Sequence, residues 1–260
     1  MNTLLSAITV VVSTLALGSL VLLAQLVGVR EKKRGLYYKA PRWWARGLVK
    51  AAGIEIVVHN PERISGDASR VYIANHVSWY DTPVLLELLP DFKFVAKREL
   101  EKIPLFGSAA KAVGVIYVDR INHHAAFGAY EDAARQMQAG ESVAVYAEGT
   151  RGESYALRPF KKGPFVLAIQ AGVPVVPIVI YGTIAVNPRG SLQAHPGVVH
   201  VHMLEPIPTT GLTYDDRDEL ANKTRLRMAD TLRDLYGVNP SLNNISNAPT
   251  SKLDTAQVAT

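Results

Sequence analysis

Two short stretches hold the side chains whose types and spacing suit chemistry. In Asn75-His76-Val77-Ser78-Trp79-Tyr80-Asp81, a histidine precedes an aspartate by five positions. An imidazole with an ordinary pKa of about 6.5 can take a proton from an alcohol at neutral pH. It needs one tautomer, which a carboxylate fixes by accepting the other ring N–H. Asp81 can turn back to do this. The plain alternative is a capped loop, since a histidine and an aspartate at this spacing also meet by chance. The second stretch is Glu148-Gly149-Thr150-Arg151-Gly152. Gly149 lets backbone approach a ligand closely, and Arg151 offers a planar fork suited to phosphate. A surface salt bridge is the alternative for Arg151. Other histidines carry less. His200-x-His202 places both rings on one face of a strand, but a metal needs a third ligand that the sequence does not supply, so structural histidines are favoured. His123-His124 opens a helix and reads as surface.

The elements around these residues alternate. Apolar, β-branched runs predict strands at 54–59, 71–74, 94–96, 113–118, 143–146, 175–181 and 198–203. Helices are predicted at 81–89, 123–139, 164–171 and 215–236, several bounded by proline or glycine. The alternation implies an α/β fold, a mixed and mostly parallel sheet covered by helices. His76 follows the strand at 71–74, and Glu148 follows the strand at 143–146. Both groups therefore sit at strand ends, where open α/β sheets place ligands.

The 260-residue chain is 48% hydrophobic and 20% charged, which suits one packed domain plus an anchor. A net charge of +5 points to nucleic acid, an anionic membrane surface or acidic substrates. With no cysteine, disulfides, thiolate nucleophiles and cysteine zinc sites are excluded. Leu4 to Val29 contains 26 residues without a charge. As a helix this runs roughly 39 Å, enough to cross a hydrocarbon core of about 30 Å. No Lys or Arg precedes it, while Arg30, Lys32, Lys33 and Arg34 follow it directly. That pattern favours a retained transmembrane helix over a cleaved signal peptide, single-pass in the cell membrane with the main domain cytoplasmic. Tyr37, Tyr38, Trp43 and Trp44 mixed with Lys39, Arg42, Arg46 and Lys50 predict a basic interfacial helix. The expected organisation is 1–29 anchor, 30–53 interface segment, 54–237 main domain and 238–260 flexible tail. Because the positive residues cluster beside the apolar helix, a membrane accounts for them and no nucleic-acid partner is expected.

The segment Asn75–Asp81 resembles the first block, N-H-x-S-x-x-D, of the glycerolipid acyltransferase family, in particular the 1-acylglycerol-3-phosphate acyltransferases. Gly114-Val115-Ile116-Tyr117-Val118-Asp119-Arg120 resembles the second block, G-x-x-F-I-D-R. Tyr146-Ala147-Glu148-Gly149-Thr150-Arg151 resembles the third, F-P-E-G-T-R, with Tyr-Ala for Phe-Pro and Gly152 where serine follows. Val173-Pro174-Val175-Val176-Pro177-Ile178 resembles the fourth, V-P-I-V-P-V, and reads as a buried strand. Lys97-Arg98-Glu99-Leu100 and Ile103-Pro104-x-Phe106-Gly107 add to the likeness, which spans roughly residues 54 to 210.

The resemblance implies transfer of an acyl chain from an acyl thioester, acyl-CoA or acyl-carrier protein, to the sn-2 hydroxyl of 1-acylglycerol-3-phosphate, giving phosphatidic acid. It implies His76 as general base and Asp81 as its orienting partner. It implies that Arg151 and Lys97, with Arg120, hold the acceptor phosphate, that Gly149 and Thr150 belong to the same site, and that Glu148 belongs to it with positioning of the loop as its candidate role. Arg120 could equally pair with Asp119 or Glu148 as scaffold. Backbone N–H groups near the helix start at Asp81 are candidate oxyanion donors. Lys161-Lys162-Gly163 could meet phosphate or an acyl carrier, or form a solvated turn. No metal or organic cofactor is required. Alternative acceptors are another lyso-lipid or glycerol-3-phosphate. Rival readings are an acyl-enzyme on Ser78, a hydrolase, and a non-catalytic membrane lipid-binding protein. The chain has no G-x-S-x-G elbow, which disfavours the hydrolase, and a mere binder needs no general base.

Overall fold

The computed structural model describes residues 2–64, 68–119, 128, 130, 133–135, 137–138 and 140–239. Arg120, the His123-His124 pair, much of the helix predicted at 123–139 and the tail from 240 lie outside the described residues. The strands are β1 (Ile54–His59), β2 (Val71–Ala74), β3 (Phe92–Lys97), β4 (Ile116–Val118), β5 (Ser142–Tyr146), β6 (Val175–Tyr181) and β7 (Gly197–Met203). The helices are α1 (Asn2–Leu26), α2 (Leu36–Ala52), α3 (Asp81–Leu88), α4 (Phe106–Ala112), α5 (Gly163–Ala171), α6 (Thr183–Val186) and α7 (Arg217–Tyr236).

The strands form one sheet in the order β1-β7-β6-β2-β5-β3-β4, parallel throughout except for β6 against β7. Both faces are covered, so the central strands β2 and β6 carry only apolar and aromatic side chains, as parallel sheets demand. Along β2 the side chains alternate. Val71 and Ile73 pack with Phe165 and Leu167 of α5 and with Leu220 and Met228 of α7. Tyr72 and Ala74 pack with Leu48 and Val49 of α2 and with Val84 and Leu85 of α3.

One prediction differs in detail. The apolar run at 113–118 forms a strand only over Ile116–Val118, and the preceding Phe106–Ala112 is helical. A short apolar run does not distinguish the two periods. Gly107 makes that helix possible, because a Cβ there would stand 2.1 Å from the Glu101 carbonyl oxygen.

The apolar helix α1 is docked on the domain from end to end. Near its start, Thr3 Oγ1 and Ala194 exchange hydrogen bonds of 3.2 Å. In its middle, the Trp44 indole N–H donates to Thr14 Oγ1 at 2.9 Å. Beyond its end, Tyr37 donates to the Val29 carbonyl at 2.9 Å, and Val21 and Ala24 bury against Tyr37 and Ala40 of α2. Its outward face stays apolar and exposed, with Leu4, Ile8, Val11, Val12 and Leu15. Trp43 of α2 is exposed too.

At the far edge of the sheet, three histidines meet. His59 stacks on His202 at 4.0 Å, and its Nε2 lies 3.1 Å from His200 Nδ1. The Tyr236 hydroxyl lies 2.6 Å from His202 Nε2. Among the described residues no cluster is arranged to hold a metal. Burial, then the neighbouring His59 and His200 rings, push His202 from 6.5 down to about 4. A histidine whose folded value is depressed loses its stabilising effect as pH falls. Stability should therefore decline between pH 6.5 and about 4, and His202→Gln should flatten that decline. Denaturant titrations across this window test it, and parallel curves for the two proteins would remove His202 as the cause.

Candidate active site

The site begins where β2 ends. Backbone pairing of β2 with β6 reaches Ala74 opposite Ile178. Asn75 then continues the ladder with its side chain: Oδ1 accepts the Ile180 N–H at 2.8 Å and Nδ2 donates to the Ile180 carbonyl at 2.9 Å. This releases the backbone to turn while staying tied to the sheet. His76 follows at the mouth of the strand. Its Nδ1 lies 2.8 Å from Asp81 Oδ2, and the Asp81 side chain is fully buried at the start of α3. The same oxygen accepts the N–H groups of Val77 at 2.7 Å and Ser78 at 2.8 Å. The carboxylate thus fixes both the turn and the ring. With Nδ1–H donating to Asp81, the His76 Nε2 carries the lone pair. The Val77 and Ser78 N–H groups are committed to Asp81, so these two are not oxyanion donors.

The loop after β5 grips the backbone of His76 on both sides. Glu148 Oε1 accepts the His76 N–H at 3.1 Å, and the Gly152 N–H donates to the His76 carbonyl at 2.7 Å. Glu148 Oε2 accepts the backbone N–H of Arg158 at 3.1 Å and its Nε at 3.4 Å. The Arg158 guanidinium also donates to the Thr150 carbonyl. Behind them, Arg225 of α7 donates to the carbonyls of Leu157 and Arg158 at 3.0 and 3.2 Å. Glu148, expected among the substrate-binding residues, is buried with both oxygens engaged by protein groups and is not on the cavity wall. Its position is that of a brace.

Tyr146 is a site residue that spacing alone did not single out. Its ring stacks on His76 at 4.0 Å and 11°, and its hydroxyl lies 3.2 Å from Thr82 Oγ1. Burial, then the Asp81 charge, hold its phenol well above the ordinary range, so it stays protonated. The signal available in the sequence was its aromatic match to the phenylalanine of the third block.

His76 and Tyr146 open on a cavity of about 1160 Å³ that also receives Lys97, Gly149, Thr150 and Arg151. Leu17 and Val21 of α1, Trp44 of α2, Phe106 and Ala109 of α4 and Phe94 of β3 give it apolar walls. Gly149 turns with φ of +81°, a conformation that a side chain resists. Lys97 stands at the end of β3, 3.3 Å from Glu99. Among the described residues the Arg151 guanidinium has no ion-pair partner, whereas its carbonyl accepts from Arg189 at 3.2 Å. The sequence-selected His76, Asp81, Lys97, Gly149, Thr150 and Arg151 are therefore brought together, and Arg120 lies outside the described residues.

Other candidates lie elsewhere. Ser78 is buried, donates to the Asn187 carbonyl at 2.9 Å and accepts from the Tyr80 N–H, which ties it into the scaffold. Lys162 pairs with Asp218 at 2.8 Å, away from the cavity.

A sheet with a histidine–aspartate pair at its strand ends matches known proteins. An acyltransferase family model fits residues 55–181. Human 1-acyl-sn-glycerol-3-phosphate acyltransferase beta is 34% identical over 191 residues, 73% of this chain and 69% of that protein. A lyso-ornithine lipid O-acyltransferase of Pseudomonas aeruginosa is 32% identical over 227 residues, 78% of this chain and 84% of that protein. The crystal structure of the 1-acyl-sn-glycerophosphate (LPA) acyltransferase PlsC of Thermotoga maritima superposes with a TM-score of 0.70 at 24% identity, covering 87% of this chain and 94% of that one. The chain belongs to the acyltransferase family.

The Glu148 geometry separates bracing from binding. Glu148→Ala frees the His76 N–H and should lower kcat by about 10²-fold, the scale of a small misplacement of a reacting group, with little change in acceptor KM. Steady-state kinetics decide: a raised KM at unchanged kcat would place Glu148 on the substrate instead.

Proposed function

We propose that this enzyme transfers a fatty acyl chain from an acyl thioester to the sn-2 hydroxyl of 1-acylglycerol-3-phosphate. The observation that carries the reading is the His76–Asp81 contact of 2.8 Å beside a cavity shared by Arg151, Lys97 and apolar helix faces. His76 Nε2 takes the hydroxyl proton as the oxygen attacks the thioester carbonyl. Asp81 stabilises the imidazolium that forms. The tetrahedral intermediate collapses, the C–S bond breaks, and His76 returns the proton to the leaving thiolate. The donor is an acyl-CoA or an acyl-carrier protein thioester. Direct attack needs no acyl-enzyme, and the Ser78 hydroxyl, buried and engaged, is not placed to form one. Arg151 and Lys97 hold the acceptor phosphate by charge-assisted bonds. The apolar walls take the acyl chains. Glu148 and Gly152 hold the His76 backbone in register with the cavity.

The lyso-ornithine lipid relative, matched over most of both chains, supports a second acceptor of different headgroup. In that reading Arg151 faces a headgroup without phosphate, so Arg151→Ala separates the two.

The outward face of α1 and the basic turn after it support attachment to a membrane. Because Thr3 and Val29 both touch the domain, at Ala194 and Tyr37 respectively, a helix crossing the bilayer would carry the domain through it. We therefore favour a helix lying along one leaflet in place of the expected single-pass crossing. Lys32, Lys33 and Arg34 then sit at headgroup level.

His76→Ala should reduce acyl transfer by about 10²–10⁴-fold in a membrane assay with labelled acyl thioester and lysophosphatidate, and unchanged activity would remove the general-base reading. Arg151→Ala should raise KM for lysophosphatidate more than it lowers kcat, and leave a lyso-ornithine acceptor less affected. Mixing enzyme and acyl thioester without acceptor should release no stoichiometric burst of free thiol.

A further inference from the structure

The loop 187–196 between α6 and β7 holds Leu192 at 94% exposure, the highest among the exposed large apolar residues. The loop is not slack. Asn187 Nδ2 donates to the Ser191 carbonyl at 2.9 Å and to the Gln193 carbonyl at 2.7 Å. The Gln193 N–H donates to Ser191 Oγ at 2.9 Å, and the His195 N–H to the Val186 carbonyl at 2.9 Å. The carbonyls on either side of Leu192 are pinned inward, so its side chain is pinned outward. A single exposed leucine signifies nothing by itself. Here the location adds meaning. Ala194, two residues on, is the partner of Thr3, so the loop abuts the start of α1, where Leu4, Leu5 and Ile8 are exposed as well.

The same loop reaches the catalytic segments. Its Asn187 carbonyl accepts from Ser78, between His76 and Asp81 in sequence. Its Arg189 donates to the Arg151 carbonyl at 3.2 Å and pairs with Glu153 at 3.2 Å, with its side chain half exposed. A leucine at the tip with an arginine at its base suits an anionic bilayer, acyl chains above and headgroups below.

We propose that loop 187–196 is a second bilayer contact. Leu192 enters the acyl layer beside α1, Arg189 lies among anionic headgroups, and together they set the depth at which Arg151 and His76 meet a lipid acceptor. The inference rests on α1 lying along the membrane.

The chain has no cysteine, so single labelling sites are clean. Leu192→Cys, Ile8→Cys and Leu235→Cys, each in the full chain and each carrying an environment-sensitive fluorophore, are mixed with phosphatidylethanolamine–phosphatidylglycerol vesicles. Position 235, on the helix covering the opposite face of the sheet from α2, is the dry control. Blue-shifted emission and quenching by spin-labelled lipid are expected at 8 and 192, not at 235. A shift at 8 without one at 192 overturns the loop contact and leaves the α1 reading intact. Silence at both overturns both. A concentration-dependent shift at 192 without vesicles assigns the patch to a second copy and overturns the bilayer contact. Leu192→Glu should weaken vesicle binding by about tenfold and raise KM for acceptor presented in vesicles. It should not alter turnover of a soluble short-chain acceptor. Equal loss on both acceptors would make Leu192 a structural residue and overturn the proposal.

Discussion

Asp81 Oδ2 receives the His76 ring and the N–H groups of Val77 and Ser78, all within 2.7 to 2.8 Å, at a side chain with no exposure. A carboxylate taken out of water is costly unless donors replace its hydration. Here they come from one turn of chain and from the imidazole itself. That need explains the spacing between the two residues. Shortened, the turn could not present both N–H groups; lengthened, the ring would leave the oxygen. The second oxygen, Oδ1, is buried without a partner, so the stabilisation of the carboxylate is concentrated on the atom that holds His76. Removing the histidine therefore takes away one donor of three, while removing the aspartate dissolves the turn as well as the tautomer.

The strand periodicity and punctuation made the sheet legible, because buried parallel strands are short apolar runs with few other readings. The His76–Asp81 pair and the group around Arg151 were legible for a different reason: their residue types alone left a capped loop and a surface salt bridge open, and the four ordered blocks resembling the acyltransferases singled them out. What was not legible follows from physics that spacing does not encode. The helix Phe106–Ala112 carries no apolar periodicity that announces it, and Gly107 shows its use only when seen against the Glu101 carbonyl. Glu148 reads as a site residue that can position its loop, but motifs record identity, not direction, and the sequence does not show which backbone N–H groups its inward-turned carboxylate receives. Arg158, Arg225 and Asn187 act through carbonyls, amides and a buried carboxylate across the fold, contacts for which no local pattern exists.

The apolar N-terminal helix shows how composition fixes environment without fixing orientation. Its length and lack of charge suit a bilayer equally well across it or along it. What composition does not show are the polar contacts at Thr3, Thr14 and Val29, each joining α1 to the rest of the fold. A consequence is that Leu17 and Val21 line the cavity that His76 opens on. The same helix keeps an exposed apolar face on one side and walls the cavity with the other.

Strand order completes the site. Three segments of the candidate site leave the C-terminal ends of β2, β3 and β5, and β5 lies between the other two. Neighbouring strands are about 4.8 Å apart, so the loops carrying His76 and Glu148 emerge one spacing from each other, and Lys97 one further. Had β5 been added in chain order beyond β4, its loop would start three spacings, about 14 Å, from the strand of His76. No side chain of Glu148 could then reach the His76 N–H, and Arg151 would be too far to share one cavity with the imidazole. The insertion of a late strand between two early ones is what turns separate sequence blocks into a single reaction site.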